Sequence, residues 1–271
     1  MEKQKRLRGR PKSFAAKGTE NRIQSLDRAL EVLDCIAAAN GLTLSEIAER
    51  LGQSPATVYR ILTTFAARNM LEMDATSQEW FIGPASFRAG SAFLRRTGVV
   101  ERARPVMRDL MEETGETANL GIENNTQVLF LSQVETPENI RAFFPPGAQS
   151  PMHASGIGKA LLAHSDPRRI AKYISSAPLT AFTDNTIHSK AELLAELEKI
   201  KKDGYAFDNE EKNIGMRCIA APIFNSFGEV VAGISISGPS ARLSLERIPS
   251  VGAVVAKRAA ELSTTLGYRA T

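Results

Sequence analysis

Two helix starts and one helix stop fall in close order between Thr43 and Asn69, and no other stretch constrains the fold as tightly. Thr43, with Glu46 three residues on, forms a capping box, in which each side chain satisfies a backbone N–H left open at a helix start. Leu44, Ile47, Ala48 and Leu51 then share one helical face, and Gly52 supplies the left-handed stop. Ser54-Pro55 opens a second helix with a hydroxyl cap and a proline in the first turn, where a missing N–H costs nothing. Val58, Ile61, Leu62 and Phe65 recur at helical spacing, so Ala56, Thr57, Arg60, Thr63 and Thr64 face outward. Small hydroxyl side chains and one guanidinium suit a helix lying against base edges and phosphates. An ordinary helical hairpin is the alternative reading. Two features argue against it: a helix expected over 26–39 can pack behind the pair, and strands expected over 70–73 and 79–82 flank the polar turn Asp74-Ala75-Thr76-Ser77. The pattern predicts a winged helix-turn-helix, with Ser54, Ala56, Thr57, Tyr59, Arg60 and Thr64 as candidate contacts to double-stranded DNA.

Charge is consistent with such a partner, and its placement matters more than its total. The chain of 271 residues carries net +4, yet residues 1–24 alone hold eight Lys or Arg against Glu2 and Glu20, so the basicity is a tail of +6 and the remainder sums to −2. Within that tail Arg8-Gly9-Arg10-Pro11-Lys12 resembles an AT-hook core, in which Arg8 and Arg10 would enter a narrow A·T minor groove. A merely solubilising tail is the other reading.

Other classes are disfavoured by what the chain contains. No run of about 18 apolar residues predicts a membrane span, and the polar, basic start does not resemble a secretory signal, so a cytoplasmic location without a membrane partner is expected. Cys35 and Cys218 fall in unrelated contexts, which argues against a disulfide framework. His153, His164 and His188 show no metal-ligand spacing, so neither a metal nor another cofactor is expected.

At this length two domains are expected, and 43% hydrophobic content suffices for two cores. Helical stretches from Pro84 and from Val99 to Gly115 read as a linker, which either pairs with a second subunit or docks on its own chain. Beyond Thr117 the texture changes to short β-rich runs over 120–123, 128–134, 140–144, 217–224 and 230–237. Helices are expected near Gly158, after the Asp166-Pro167 cap, from the Ser189/Glu192 cap to Gly204, and over 246–266. Asn225-Ser226-Phe227-Gly228 joins two apolar runs tightly enough for an antiparallel hairpin. The expected fold is therefore α+β: a basic arm over 1–24, a winged helix-turn-helix over 25–83, a helical linker over 84–115, and an α/β domain with a largely antiparallel sheet over 116–271.

That last domain carries residues suited to a small anion. Gly156, Ile157 and Gly158 lie at a helix start, where free backbone N–H groups and the dipole favour a carboxylate. A phosphate loop does not fit, because His153 stands where its glycine is needed and Lys159 is followed by Ala160 rather than a hydroxyl residue. Cys218, Ala220 and Pro222 share one strand face, as do Ser235 and Ser237 on the next run, so a thiol and two hydroxyls can converge. Each alone also reads as ordinary packing or backbone bonding.

Three stretches resemble the IclR family of bacterial transcription regulators: Ser25-Leu26-Asp27-Arg28-Ala29-Leu30, Pro151-Met152-His153-Ala154-Ser155-Gly156-Ile157-Gly158-Lys159-Ala160, and Gly204-Tyr205-Ala206-Phe207-Asp208-Asn209-Glu210-Glu211 running on to Arg217-Cys218-Ile219-Ala220-Ala221-Pro222. The resemblance covers about Asn21 to Tyr268. It implies a homodimer or dimer of dimers on a palindromic operator, and a GAF-like C-terminal effector domain that senses a small organic acid, glyoxylate or pyruvate above others. It further implies effector contacts at Gly156, Ile157, Asp208, Cys218, Ser235 and Ser237, with Ala142 and Phe144 as an apolar wall. Asp208 fits such an anion only if protonated or facing a hydrogen-donating part of the ligand. Two other functions remain open on the residues alone: an enzyme with Cys218 as nucleophile and His153 as base, and a constitutive architectural DNA binder.

Overall fold

The computed structural model describes residues 23–176 and 178–269, and of 93–97 the backbone only. Arg8 and Arg10, and with them the arm, lie outside the described residues. The chain divides between Phe93 and Leu94 into two compact units.

In the N-terminal unit the local signals produce the expected elements. Helix α1 spans Gln24–Ala37, strand β1 Leu42–Thr43, α2 Leu44–Leu51 and α3 Pro55–Ala66, followed by β2 Leu71–Met73 and β3 Glu79–Ile82. The capping box closes from both sides, with Thr43 N–H donating to Glu46 Oε2 at 2.8 Å and Glu46 N–H to Thr43 Oγ1 at 3.4 Å. Gly52 adopts φ +60° after α2, and Ser54 Oγ accepts from Thr57 N–H at 3.2 Å to open α3. Val32, Ile36, Ile47, Val58, Leu62, Leu71 and Trp80 form the core. The wing has a strand that the hairpin pattern does not reveal: β1 pairs antiparallel with β3, giving the order β1-β3-β2. Helix α4, Pro84–Thr97, runs across the boundary between the units.

The C-terminal unit is a six-stranded antiparallel sheet with helices on both faces. Its strands are β4 Thr117–Asn124, β5 Gln127–Val134, β6 Gln149–Pro151, β7 Ala206–Asn209, β8 Met216–Phe224 and β9 Val230–Pro239, in the order β6-β5-β4-β9-β8-β7. Helices α5, Val99–Thr114, and α9, Ile248–Thr265, cover one face, burying Ala103, Met107, Leu110, Val255 and Leu262 against Leu120, Ile219, Ile234 and Ile236. Of the expected linker, helix α5 packs on the sheet of its own chain. The other face carries α6, Gly156–Ala163, with α8, Lys190–Asp203, packed on α6; α7, Pro167–Ser176, lies between them in sequence.

Two expectations need correction. Residues 140–144 form no strand, and the chain there is irregular until β6. Pro145-Pro146 follows directly, and two successive residues without N–H donors cannot extend a ladder, so alternation of buried Ala142 with exposed Phe143 imitates a strand without forming one. Conversely, the sequence pattern reveals neither β6 nor β7. For β7 the reason is local: it is a short edge strand, paired only with β8, and half of its four residues are polar.

Candidate functional sites

On α3 the outward residues stand as the spacing predicts. Tyr59 is 55% exposed, Ser54, Ala56, Arg60, Thr63 and Thr64 are exposed, and Thr57 is half-buried. Several of the hydroxyls already have local partners: Ser54 and Thr57 Oγ lie 2.9 Å apart, and Thr64 donates to the Arg60 carbonyl at 2.6 Å. Arg60 and Thr64 line a groove of about 670 Å³ between α1 and α3, which also gathers Arg28 and Arg68 over Leu26 and Met70. Three guanidiniums thus gather around one groove, the kind of group that pairs with phosphate.

In the C-terminal unit the strand register assembles a second site. Asp208, Cys218, Ser237 and Thr117 are directly opposite one another across β7, β8, β9 and β4. The adjacent row runs Ala206, Ala220, Ser235, Asn119 and Gln133. Over these rows sits the first turn of α6. A Cβ at Gly156 would lie 2.9 Å from Cys218 Sγ, so only glycine lets the helix start press on the strand. Ser155 Oγ caps Gly158 N–H at 3.4 Å, which leaves Gly156 and Ile157 as first-turn N–H groups without a capping side chain. The side chain of Ile157 packs over Gly121 and Gly233, so of this residue only the backbone is available to a ligand.

Hydrogen bonds tie the polar face together, with one exception. Asn119 Nδ2 donates to Ser237 Oγ at 3.2 Å, and Gln133 Nε2 donates to Asn119 Oδ1 at 3.1 Å and to the Ala142 carbonyl at 3.4 Å. Ser235 Oγ is buried and finds no nitrogen or oxygen partner among the described residues, with only the Cys218 thiol beside it. Burial, reinforced by the charge of Asp208, pushes the Cys218 thiol up to about 12, against the opposing influence of the Ser237 and Ser235 hydroxyls. A thiol so held is no nucleophile. His153, the base in the enzyme reading, is occupied by Tyr173 Oη at 3.1 Å and the Thr180 carbonyl at 3.0 Å.

Beside these rows lies a buried charge cluster. Lys159 donates to the Phe207 carbonyl at 2.6 Å and contacts Glu196 at 3.3 Å and Glu211. Burial opposes its charge, but Glu211, Glu196 and Asp208 more than offset this and hold its pKa above the usual value. Asp208 accepts from Glu211 N–H at 2.9 Å. Burial raises its carboxyl to about 6 and that of Glu211 to about 7, in each case against the attraction of Lys159.

Phe144, Ala154, Asp208, Lys212, Cys218 and Ser237 are among the side chains that line a cavity of about 20 Å³, room for one water. Of the expected effector contacts, Asp208, Cys218, Ser237 and Phe144 therefore meet at one void, with Gly156 packed on Cys218 and Ser235 in the next row. Phe144 stacks on Phe130 at 4.9 Å, whereas Ala142 is not among the lining residues and contributes its carbonyl to Gln133. The sequence reading misses Asn119, Gln133 and Lys212. A buried strand Asn such as Asn119 needs partners and in that sense left a signal; Lys212, in a polar loop, left none. Among the described residues no group of His, Cys, Asp or Glu converges in a metal-binding arrangement, and no helix is long and apolar enough to cross a membrane.

Comparison with known proteins decides the family. The model of the bacterial transcriptional regulator IclR C-terminal domain matches residues 91–264, and that of the IclR helix-turn-helix domain matches residues 25–75. The chain belongs to the IclR family. Among IclR-type relatives, the HTH-type transcriptional regulator BhcR of Paracoccus denitrificans is 55% identical over 272 residues, covering 99% of this chain and 98% of that protein. The crystal structure of Thermotoga maritima IclR superposes with a TM-score of 0.77 at 32% identity, covering 90% of this chain and 99% of the other. An IclR homolog of Microbacterium hydrocarbonoxydans, complexed with 4-hydroxybenzoate, shares the fold with a TM-score of 0.79 at 24% identity, over 89% of this chain and 98% of its own. As a member of the IclR family, the protein is a DNA-binding transcriptional regulator and not an enzyme.

Proposed function

We propose that a two- or three-carbon α-oxo acid, glyoxylate before pyruvate, binds in the C-terminal unit and changes the affinity of the N-terminal unit for a palindromic operator. The observation that carries this reading is the Ser235 hydroxyl, buried with no nitrogen or oxygen partner among the described residues and only the Cys218 thiol beside it, close to the bare first turn of α6. A buried unpaired hydroxyl costs about 1 to 3 kcal/mol, which a ligand oxygen would recover on binding. The Gly156 and Ile157 N–H groups receive the carboxylate at the positive end of the α6 dipole. Ser235, Ser237 and Cys218 face the oxo or hydrated-aldehyde end, Asp208 accepts from its hydroxyl, and Phe144 closes the apolar side. A carboxylic acid, 4-hydroxybenzoate, is bound by the Microbacterium homolog.

The protein acts as a homodimer or dimer of dimers, its two-fold symmetry matching the operator. Ser54, Ala56, Thr57, Tyr59, Arg60 and Thr64 contact DNA through α3, with Arg8 and Arg10 of the arm in the minor groove. Calorimetry of Ser235→Ala/Ser237→Ala against the parent tests the pocket: glyoxylate affinity should fall at least about tenfold, and equal affinity refutes the site. No heat with any small oxo acid refutes the ligand class. Regulation also needs unequal affinity for the two conformations, so glyoxylate must shift operator affinity of the full chain in fluorescence anisotropy. In the same assay Arg60→Ala should cost about 1 to 3 kcal/mol of specific binding at matched salt without loss of melting temperature.

A further inference from the structure

Three cations approach the pocket, and only Lys212 has spare donors without a carboxylate at ion-pair distance among the described residues. Lys159 is enclosed by the Phe207 carbonyl, Glu196 and Glu211. Arg217 lines the cavity, but its Nε donates to Asn209 Oδ1 at 2.9 Å, its Nη1 to the Leu243 carbonyl at 2.8 Å, and its Nη2 lies 3.6 Å from Glu210. Lys212 also lines the cavity, and its ammonium donates to a single partner among the described residues, Ser150 Oγ on β6, at 3.1 Å. A lysine ammonium has three donors, so two remain for a ligand. Lys212 is half-buried, and no carboxylate pairs with it at ion-pair distance among the described residues, although Asp208 shares its cavity wall. Burial lowers its pKa, which the charge of Asp208 partly counteracts.

The charge balance of the site needs such a group. Asp208 already places a carboxylate in the wall, and Glu211 lies behind it. An incoming carboxylate adds a like charge at low dielectric, which partial charges on two backbone N–H groups offset only in part. We propose that Lys212 is the residue that makes the pocket select an anionic effector over a neutral one, by pairing with the ligand carboxylate. The assignment rests on the oxo-acid reading of this site and adds to it a side chain that the family motifs do not point to.

The test compares pyruvate and glyoxylate with pyruvamide, a neutral isostere, by calorimetry on the full-length protein. The parent should bind pyruvate at least about tenfold more tightly than pyruvamide, since hydrogen bonds to charged groups are the stronger ones. Lys212→Gln keeps donors without the charge; it should weaken both acids about tenfold and leave pyruvamide within about twofold. Lys212→Arg should restore acid binding, and Ser150→Ala, which removes the ammonium's present partner but not its charge, should leave it within about threefold. Unchanged acid affinity in Lys212→Gln, or an equal loss for acid and amide, overturns the assignment of Lys212 alone. A parent that binds acid and amide alike overturns it too, whether or not the variant folds. A parent that binds neither overturns the oxo-acid reading, and this inference with it.

Discussion

The two faces of the C-terminal sheet come from the same strands and are built for different ends. Toward α5 and α9, Ala118, Leu120, Ile219, Ala221, Ile234 and Ile236 are all buried and apolar. Toward α6, the alternate residues of those strands include Thr117, Asn119, Cys218, Ser235 and Ser237. A period of two lets one strand serve both, because neighbouring side chains point to opposite faces. The apolar face stabilises by removing area from water. The polar face gives up that gain, and its hydrogen bonds return little net stability; what it retains is an unpaired hydroxyl and a nearby charge cluster, both responsive to a ligand or a proton. Stability and the proposed binding site are thus separated by the thickness of one sheet.

Substitution can break this separation, and Lys159→Met should have the largest effect. Without the ammonium, Glu211 and Glu196 lose their counter-charge and Asp208 keeps only Lys212, at about 3 to 5 kcal/mol near neutral pH by urea denaturation. The loss should shrink at pH 5, where Asp208 and Glu211, raised to about 6 and about 7, take up protons. An equal loss at both pH values would place the cost in packing instead of charge.

On the opposite face, Ile236→Ala should cost about 2 to 4 kcal/mol through a cavity among Ala118, Ile219 and the covering helices, with glyoxylate affinity held within about twofold. A comparable loss of glyoxylate binding would show that the two faces are not independent. Proton linkage gives a smaller signal. A carboxyl raised in the folded state favours folding fully below its ordinary range and loses that contribution as pH rises through the raised value. Through Asp208 alone the parent should lose on the order of 1 to 2 kcal/mol between pH 5 and 7.5, and Asp208→Asn should remove that part of the slope in denaturation curves. The smallest effect belongs to Ser235→Ala, which removes a hydroxyl that has no nitrogen or oxygen partner to lose. Its stability without effector should stay within about 0.5 kcal/mol of the parent or rise slightly, and a large destabilisation would reveal a structural hydrogen bond there.

What could be read in the chain follows the range of the interactions involved. The caps of α2 and α3 join residues three apart, Thr43 with Glu46 and Ser54 with Thr57, so each is written in consecutive sequence and each appears in the fold. Asp74 likewise arranges its own turn through Thr76 and Ser77 N–H at 2.8 and 2.9 Å. The wing's third strand escaped because β1 has only two residues and exists by pairing with β3. Residues 140–144 were misread for the opposite reason: an apolar alternation was present, but Pro145-Pro146 removed the donors that a strand needs.

The sequence by itself determined the helix starts and stops, the alternating strands and the helix face that carries Arg60, because caps and periodicity act over a few residues. It also carried the family motifs around Gly156 and Asp208. Only the tertiary structure decided that Asn119 bonds Ser237 across 118 positions, that Lys212 meets Ser150 across 62, and that Ser235 is left without a nitrogen or oxygen partner. Those outcomes depend on strand register, and a shift of one residue in β9 would turn Ser235 and Ser237 to the apolar face. Register is set by the joint packing of α5, α6 and α9 on the sheet, which no local stretch of sequence encodes.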